Sequence, residues 1–258
     1  MTSPALVLHT RKYSDDRLIV ETYTEAAGAA SFIVRISHGG RKGNVPHTLF
    51  QPLALLSISW DEHTRSTLLK PTAAHLLTAQ YTPVPEKAPE GQTPDPLPIT
   101  PDPLPLTHYP LPLTHYPLPL TLGPVKSALS LFLAEFFRGI LRQEPPSPPI
   151  FRYIAGAVQW LNIADGRSLA NVHLAILIRM ANLLGIRPSA EELLPICPAA
   201  HREAIPTLLR MNLANQHLYK FTRAQRAEIL SIILLYYKQH IPAFPEIKSV
   251  EVLSQIFV

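Results

Sequence analysis

Cysteine is almost missing from this chain, which has a single one, Cys197, among 258 residues. One cysteine excludes a disulfide within the chain and any zinc site built from several cysteines. Uncharged apolar runs of membrane-spanning length are missing too, as is a basic N-terminal start followed by an apolar run and a small-residue cleavage site. We therefore expect a cytoplasmic protein with no membrane partner.

Spacings typical of catalytic or metal sites are also missing. The eleven histidines form no H-x-x-x-H or HExxH arrangement. Cys197 and His201 stand one helical turn apart, but two ligands make a poor metal site. Ser14 lies near acidic residues and His9, yet the G-x-S-x-G elbow is missing and a turn is the simpler explanation. The sequence predicts a binding protein without catalytic residues, metal or cofactor, and disfavours the alternative of a hydrolase or transferase.

Proline, in contrast, is abundant, with 28 residues. Many of them fall in residues 82–123, where the heptapeptide Pro-Leu-Pro-Leu-Thr-His-Tyr starts at Pro103 and again at Pro110. Proline fixes φ and lacks an N–H donor, so such a run joins neither a helix interior nor a sheet and favours polyproline II. We interpret residues 82–123 as a spacer between domains at 1–81 and 124–258. A ligand for a partner's aromatic groove is the alternative.

The first domain has the pattern of a small β-barrel. Its apolar residues alternate or form short β-branched runs, and Gly28 marks a turn. The predicted strands are Ala5–Thr10, Leu18–Thr24, Ala30–Ile36, Leu53–Trp60 and Ser66–Lys70. Five short strands in about 75 residues suit a closed barrel, and the OB-fold is the commonest such design that binds nucleic acid.

The second domain has helical periodicity throughout. Ser147 is predicted to cap its second helix, and the third helix, nearly all apolar, is expected to be central. The predicted helices span residues 125–140, 148–161, 171–184, 199–212, 222–240 and 249–257. The fold class is therefore α+β and multidomain, with a five-stranded OB-fold barrel followed by an all-helical domain.

A basic, glycine-rich loop at residues 38–44 is the strongest local signal for ligand binding in the first domain. It places His38, Arg41 and Lys42 among three glycines. Glycine lets neighbouring cations approach a phosphate backbone closely. A solvated hairpin loop prefers the same residue types, so both interpretations stay open.

Cations on or next to the predicted strands can extend that loop into a surface that follows a phosphate backbone. They are Arg11, Lys12, Arg17 and Arg35. Ordinary solubility of the barrel is the alternative for each one. The aromatic residues of the strands can stack on bases or fill the core; they are Tyr13, Tyr23 and Phe32. The net charge is +2 for residues 1–81, −3 for the spacer and +5 for residues 124–258. This balance is compatible with nucleic-acid binding but does not require it.

Several ordered motifs resemble the RecO family of bacterial DNA repair and recombination proteins. In the first domain they include residues 12–15 with 18–20, residues 23–35 and the loop before Phe50. In the second they include residues 124–136, 184–188, 208–212 and 241–249. The resemblance implies an OB-fold, a helical domain, binding of single- and double-stranded DNA, and annealing of complementary strands. It also implies that the protein acts with RecR and helps load RecA onto DNA coated with single-stranded DNA-binding protein (SSB).

The resemblance also implies contact with the acidic C-terminal tail of SSB. Such a tail needs an apolar groove with a cationic rim. We expect Phe132 and Phe136 to form that groove and Lys126, Arg138 and Arg142 to flank it. The alternative function is a non-catalytic interaction adaptor that uses the helical domain and the proline-rich segment.

Two features depart from the family. Many members carry a four-cysteine zinc site in the helical domain, which this chain cannot form. The proline-rich segment is longer than the corresponding junction of relatives. Extended at about 3.1 Å per residue it reaches on the order of 100 Å, so close docking of the two domains is not assured from the sequence. The segment can also loop out while the domains touch.

Overall fold

The computed structural model describes residues 1–35, 47–61, 67–77, 123–164 and 169–256. The described strands all precede residue 77, and the described α-helices begin at Pro124. This order confirms a β-structured first half followed by a helical second half. The predicted spacer at 82–123 lies outside the described residues, and the domain boundaries next to it stay predictions.

The first half forms one sheet of six strands, in the order β5-β3-β2-β1-β4-β6. Every neighbouring pair is antiparallel except β3 with β5. The strands are β1 (Thr2–Ser14), β2 (Arg17–Thr24), β3 (Gly28–Arg35), β4 (Leu55–Trp60), β5 (Leu68–Leu69) and β6 (Pro71–Leu76).

The sheet curls because its two edge strands are adjacent in the sequence. Only Lys70 separates β5 at one edge from β6 at the other, so the two edges must lie close together, as in a partly open OB-type barrel. The predicted count of five strands was one too low. Pro71 begins β6 at the sheet edge, where a missing N–H is tolerated, and the sequence pattern suggested that the strands had already ended there.

Both faces of β1 are buried, because the strand serves two cores. Ala5 and Val7 point into the barrel, where Phe32 and Trp60 meet edge to face with centroids 5.5 Å apart. Leu6 and Leu8 belong to the core of the helical half. The unbroken apolar run of β1 is the pattern expected of a strand that is covered on both sides.

The helical half contains seven described α-helices and two described 3₁₀ helices, Ala199–Ala204 and Gln216–Leu218. The α-helices are α1 (Pro124–Leu141), α2 (Pro148–Ile163), α3 (Val172–Leu183), α4 (Ala190–Ile196), α5 (Ile205–Leu209), α6 (Arg223–His240) and α7 (Val250–Ile256). Helix α3 is buried along nearly its whole length and packs against α2, α5 and α6. It is the central helix that the sequence predicted.

Two helix predictions were wrong in residues 189–212. Helix α4 was not predicted, although Ser189 and Glu192 form a capping box at its start. The single helix predicted from Ala199 is a 3₁₀ helix, Ala199–Ala204, followed by the short α5. Pro206 explains the division, because proline has no N–H for the preceding turn and fits the first turn of a new helix.

The two halves dock closely at a joint between β2 and the α1–α2 turn. The Tyr23 phenol donates a hydrogen bond to the Pro145 carbonyl at 2.9 Å and accepts one from the Ser147 N–H at 3.2 Å. Burial raises the pKa of Tyr23, and the Glu144 charge raises it further. Ser147 occupies the predicted cap position of α2, but its side chain makes no capping hydrogen bond.

Two ion pairs flank this joint. The Arg138 guanidinium donates to both carboxylate oxygens of Glu21, at 2.5 and 3.1 Å, and Arg152 donates to Glu25 at 3.2 Å. Each pair joins the helical half to the barrel. The length of the proline-rich segment therefore does not hold the halves apart.

Candidate nucleic-acid interface

Strand register gathers four exposed cations at one end of the barrel. Arg17, at the start of β2, pairs directly with Arg35, at the end of β3. On the other side of β2, Lys12 lies opposite Leu18 and Arg11 lies one pair further along β1. Hairpin pairing brings these ends together because an antiparallel register places the start of one strand beside the end of the next. We call Arg11, Lys12, Arg17 and Arg35 the barrel-end cluster.

Two carboxylates in the β1–β2 turn order this cluster. Asp16 accepts from Arg35 Nε at 3.1 Å, and its other oxygen lies 3.9 Å from Arg17 Nε. Like charges directly opposite one another destabilise a sheet, and Asp16 offsets that repulsion. The Ser14 hydroxyl also donates to Asp16 at 2.9 Å; this hydrogen bond and the nearby arginines lower the pKa of Asp16. Ser14 thus serves the turn, which agrees with the simpler sequence interpretation.

The second carboxylate of the turn, Asp15, accepts from Lys12 Nζ at 2.7 Å. Both partners are exposed, so water and salt screen the pair and it contributes little to stability. Four cations and two carboxylates leave the turn region with a net positive charge. A polyanion can replace the carboxylates as the partner of these cations.

One aromatic residue of the strands is accessible beside the cluster. Tyr13 is 60% exposed, whereas Tyr23 and Phe32 are fully buried. Tyr23 and Phe32 are therefore core residues, and base stacking by either ring is excluded in this structure. Tyr13 follows Lys12 directly, so an exposed ring adjoins the cations, the combination that proteins use for unpaired bases.

The predicted basic loop follows β3 in the sequence. Its residues His38, Arg41 and Lys42 follow Arg35, the last residue of β3, but lie outside the described residues. Their contribution to DNA binding stays a prediction.

The predicted groove on α1 requires a correction. Phe132 and Phe136 are fully buried, and the Phe136 ring packs edge to face on Tyr237 with centroids 4.9 Å apart. Spacings of three and four marked the core-facing side of the helix, so neither ring is available to a partner.

The three cations that were expected to flank that groove do not lie around an apolar surface. Arg138 pairs with Glu21 across the joint. Lys126 donates to the Asn162 carbonyl at 2.9 Å, and Arg142 is exposed at the C-terminal end of α1. The structure therefore does not assemble these three residues around an apolar groove.

A cleft between α6 and α7, with α3 at its base, combines apolar and cationic side chains, as was expected of the groove on α1. Its volume is about 100 Å³, and its lining combines apolar side chains with two arginines. The lining residues are His173, Arg223, Arg226, Ala227, Leu230, Ser231, Val250, Leu253 and Ser254. We call it the α6–α7 cleft. The cleft could not be predicted from the sequence because it depends on how α7 packs against α6, although the two arginines at the start of α6 are visible in the sequence.

The arginines of the cleft stand where an anion is favoured. Arg223 and Arg226 lie in the first turns of α6, at the positive end of the helix dipole. Burial and the neighbouring charge of Arg223 lower the pKa of Arg226. His173 at the base is fully buried, and burial together with Arg226 lowers its pKa to about 3. The histidine is therefore neutral at physiological pH, and the positive charge of the cleft comes from the arginines.

The structure gives no support to a metal site at Cys197. Over the parts of the chain that the structure describes, no group of three histidine, cysteine or acidic residues is placed to hold a metal ion. Burial raises the pKa of the Cys197 thiol, whose S–H donates to the Pro198 carbonyl at 3.5 Å. No helix within the described ranges has both the length and the apolar character needed to span a membrane.

Comparison with known proteins agrees with this architecture. Residues 1–79 match the family described as Recombination protein O N terminal, and residues 123–192 match Recombination protein O C terminal. DNA repair protein RecO of Bacteroides fragilis is 31% identical over 98% of this chain and 97% of its own length. DNA repair protein RecO of Phocaeicola vulgatus is 30% identical with the same coverage, and that of Porphyromonas gingivalis is 26% identical over the full chain and 99% of the relative. The chain therefore belongs to the RecO family of DNA repair proteins.

Proposed function

We propose that this protein is a non-catalytic mediator that binds single- and double-stranded DNA at the barrel-end cluster and anneals complementary strands. Together with RecR it would assist RecA loading on SSB-coated DNA. The observation that carries the proposal is the register of β1, β2 and β3, which gathers four exposed cations at the end of the barrel where the exposed Tyr13 also lies.

Annealing requires no catalytic residue. Two DNA strands repel one another because each phosphate carries a negative charge, and a protein that neutralises phosphates lowers this repulsion. The cluster can contact phosphates while Tyr13 stacks on a base. Membership of the RecO family, whose relatives are named as DNA repair proteins, agrees with this chemistry.

The binding proposal can be tested with fluorescence anisotropy of labelled single-stranded DNA at several salt concentrations. Replacing Arg17 and Arg35 by Gln should weaken binding and reduce the slope of log affinity against log salt by about 1.4, since each single-strand phosphate contact contributes about 0.7. Asp16→Asn should strengthen binding, because it removes a competing carboxylate. The control is Lys238→Gln/Lys248→Gln, which removes two exposed cations of the helical half.

The test is specific for the barrel end because the arginine variant and the aspartate variant should change the affinity for DNA in opposite directions. If both the arginine variant and the aspartate variant bind DNA with unchanged affinity, the barrel end is not the DNA-binding site. No binding to the wild-type protein even at low salt would instead favour the adaptor function.

We further propose that the α6–α7 cleft receives the acidic, apolar-ended tail of SSB. Leu230 and Leu253 are at most 4% exposed and provide an apolar wall, while Arg223 and Arg226 provide positive charge. A terminal carboxylate beside the N-terminus of α6 would also complement the helix dipole.

A tail peptide distinguishes this cleft from the site predicted on α1. Arg226→Glu should weaken binding of the peptide at least tenfold, whereas Arg142→Glu should leave it unchanged. If Arg142→Glu weakens binding of the peptide and Arg226→Glu does not, the tail binds in the α1 region that includes Lys126, Arg138 and Arg142.

A further inference from the structure

The loop between α5 and α6, residues 210–222, contains arginine and lysine but no aspartate or glutamate, and the proposed function has not used it. The nearest acidic residues in the sequence are Glu203 and Glu228. Arg210, His217 and Lys220 are exposed within the loop. No aspartate or glutamate of the loop offsets the positive charges of Arg210 and Lys220.

Apolar and aromatic side chains alternate with these cations. Leu218 is 63% exposed, and Tyr219 and Phe221 are half-buried against the helical core. The exposed Leu218 side chain lies in the sequence between the exposed His217 and Lys220. Cations interleaved with flat or apolar surfaces suit single-stranded nucleic acid, in which both phosphates and base faces are accessible. A duplex hides its base faces, and so has less to gain from this loop.

The loop is held in shape by buried polar contacts. The Asn171 side chain, 2% exposed, donates from Nδ2 to the Gln216 carbonyl at 2.9 Å and to the Tyr219 carbonyl at 2.7 Å. Asn212 and Asn215 cross-link the preceding turn: Oδ1 of each accepts from the backbone N–H of the other, at 2.8 and 3.0 Å. Preorganisation lowers the entropic cost of binding, so this surface is ready to receive a ligand.

We propose that the α5–α6 loop is a second contact site for single-stranded nucleic acid. Arg210 and Lys220 would contact phosphates, and His217 with Leu218 would pack against bases. The inference rests on the proposed DNA-binding function and extends it, because strand annealing needs two strands on one protein. The barrel-end cluster and the loop share no residue, so each strand can have its own site.

Stoichiometric titration with a labelled oligothymidine of about ten nucleotides tests the proposal. Wild-type protein at low salt should bind two oligonucleotides per chain. The loop variant Leu218→Ser/Lys220→Glu should bind one, at the barrel end, and the barrel variant Arg17→Gln/Arg35→Gln should bind one, at the loop. Lys238→Gln, at the far end of α6 and about 22 Å from its start, is the matched control and should bind two.

The outcomes separate the two proposals. A loop variant that still binds two oligonucleotides overturns the proposed loop site. A barrel variant that still binds two oligonucleotides overturns the proposed barrel site but does not contradict the proposed loop site. Circular dichroism checks that each variant is folded. If the double loop variant is not folded, Lys220→Gln alone should lower the salt slope by about 0.7, and an unchanged slope overturns the loop site.

Discussion

The Tyr23 hydroxyl of strand β2 donates a hydrogen bond to the Pro145 carbonyl at 2.9 Å, across 122 residues of sequence. The same oxygen accepts from the Ser147 N–H. One phenol thus satisfies a donor and an acceptor of the α1–α2 turn at a site where little water enters. This contact fixes the barrel against the helical half, whose core also includes Leu6 and Leu8 of the barrel.

Removing this hydroxyl should destabilise the protein. Tyr23→Phe leaves the Pro145 carbonyl and the Ser147 N–H without their partner, and should lower the free energy of unfolding by about 1–2 kcal/mol. Urea denaturation measures the change. Tyr13→Phe, which alters an exposed ring, is the control and should stay within about 0.5 kcal/mol of wild type. Equal effects of the two changes would contradict the role given to Tyr23.

Gly28 should tolerate alanine less well than Gly185. Both have positive φ, +68° and +82°, so a side chain is strained at either position. At Gly28 a Cβ would also lie 2.9 Å from Pro146 N, whereas at Gly185 it would meet nothing within 4 Å. Gly185→Ala should cost about 1 kcal/mol from strain, and Gly28→Ala at least about 2 kcal/mol. Thermal unfolding of both variants gives the comparison, and equal costs would mean that the joint is looser than described.

Cleavage of the proline-rich segment should leave the two halves together. The joint contains Leu6 and Leu8 as well as the Tyr23 contacts, so it does not depend on residues 82–123. A protease site introduced in that segment allows the chain to be cut, and gel filtration should then show both fragments in one peak. The same cut in a Leu6→Asp/Leu8→Asp variant should release two fragments. Separation of the unaltered halves would show that the segment itself holds them.

Acidification should destabilise the protein partly through His173. Burial and Arg226 lower its pKa to about 3, while the ordinary value is 6.5. Between these values the unfolded chain binds a proton that the native state does not, so stability falls as pH falls, by about 1.4 kcal/mol per pH unit. Urea unfolding of wild type and His173→Leu between about pH 7 and 5 should give a smaller slope for the variant. The exposed His217→Gln should follow wild type, and parallel profiles for all three proteins would refute the assignment.

Local elements of this fold could be predicted from the sequence. Strand β2 was placed within one residue, and α6 begins one residue after its predicted start, Thr222, which forms a capping box with Gln225. These features depend on nearby residues. The joint depends on residues more than 100 positions apart, and the sequence indicated it only through the unbroken apolar run at the start of β1.

The residues of the candidate site could be named from the sequence, but their positions relative to one another could not. The cations Arg17 and Arg35 were identified from the sequence, yet only the strand register shows that they face one another across Asp16. On α1 the helical spacing of Phe132 and Phe136 predicted an apolar face correctly. Whether such a face is buried or forms a groove depends on the tertiary packing, which here places Tyr237 against it.

Annealing of complementary strands is the activity at the centre of this account. Stopped-flow fluorescence of two labelled complementary oligonucleotides measures its rate with wild type, Arg17→Gln/Arg35→Gln and the control Lys238→Gln/Lys248→Gln. At low salt the wild type and the control should accelerate annealing equally, and the arginine variant should be at least tenfold slower, with the difference shrinking as salt screens the phosphates. An arginine variant that anneals as fast as wild type would contradict the proposal that the barrel end brings the strands together.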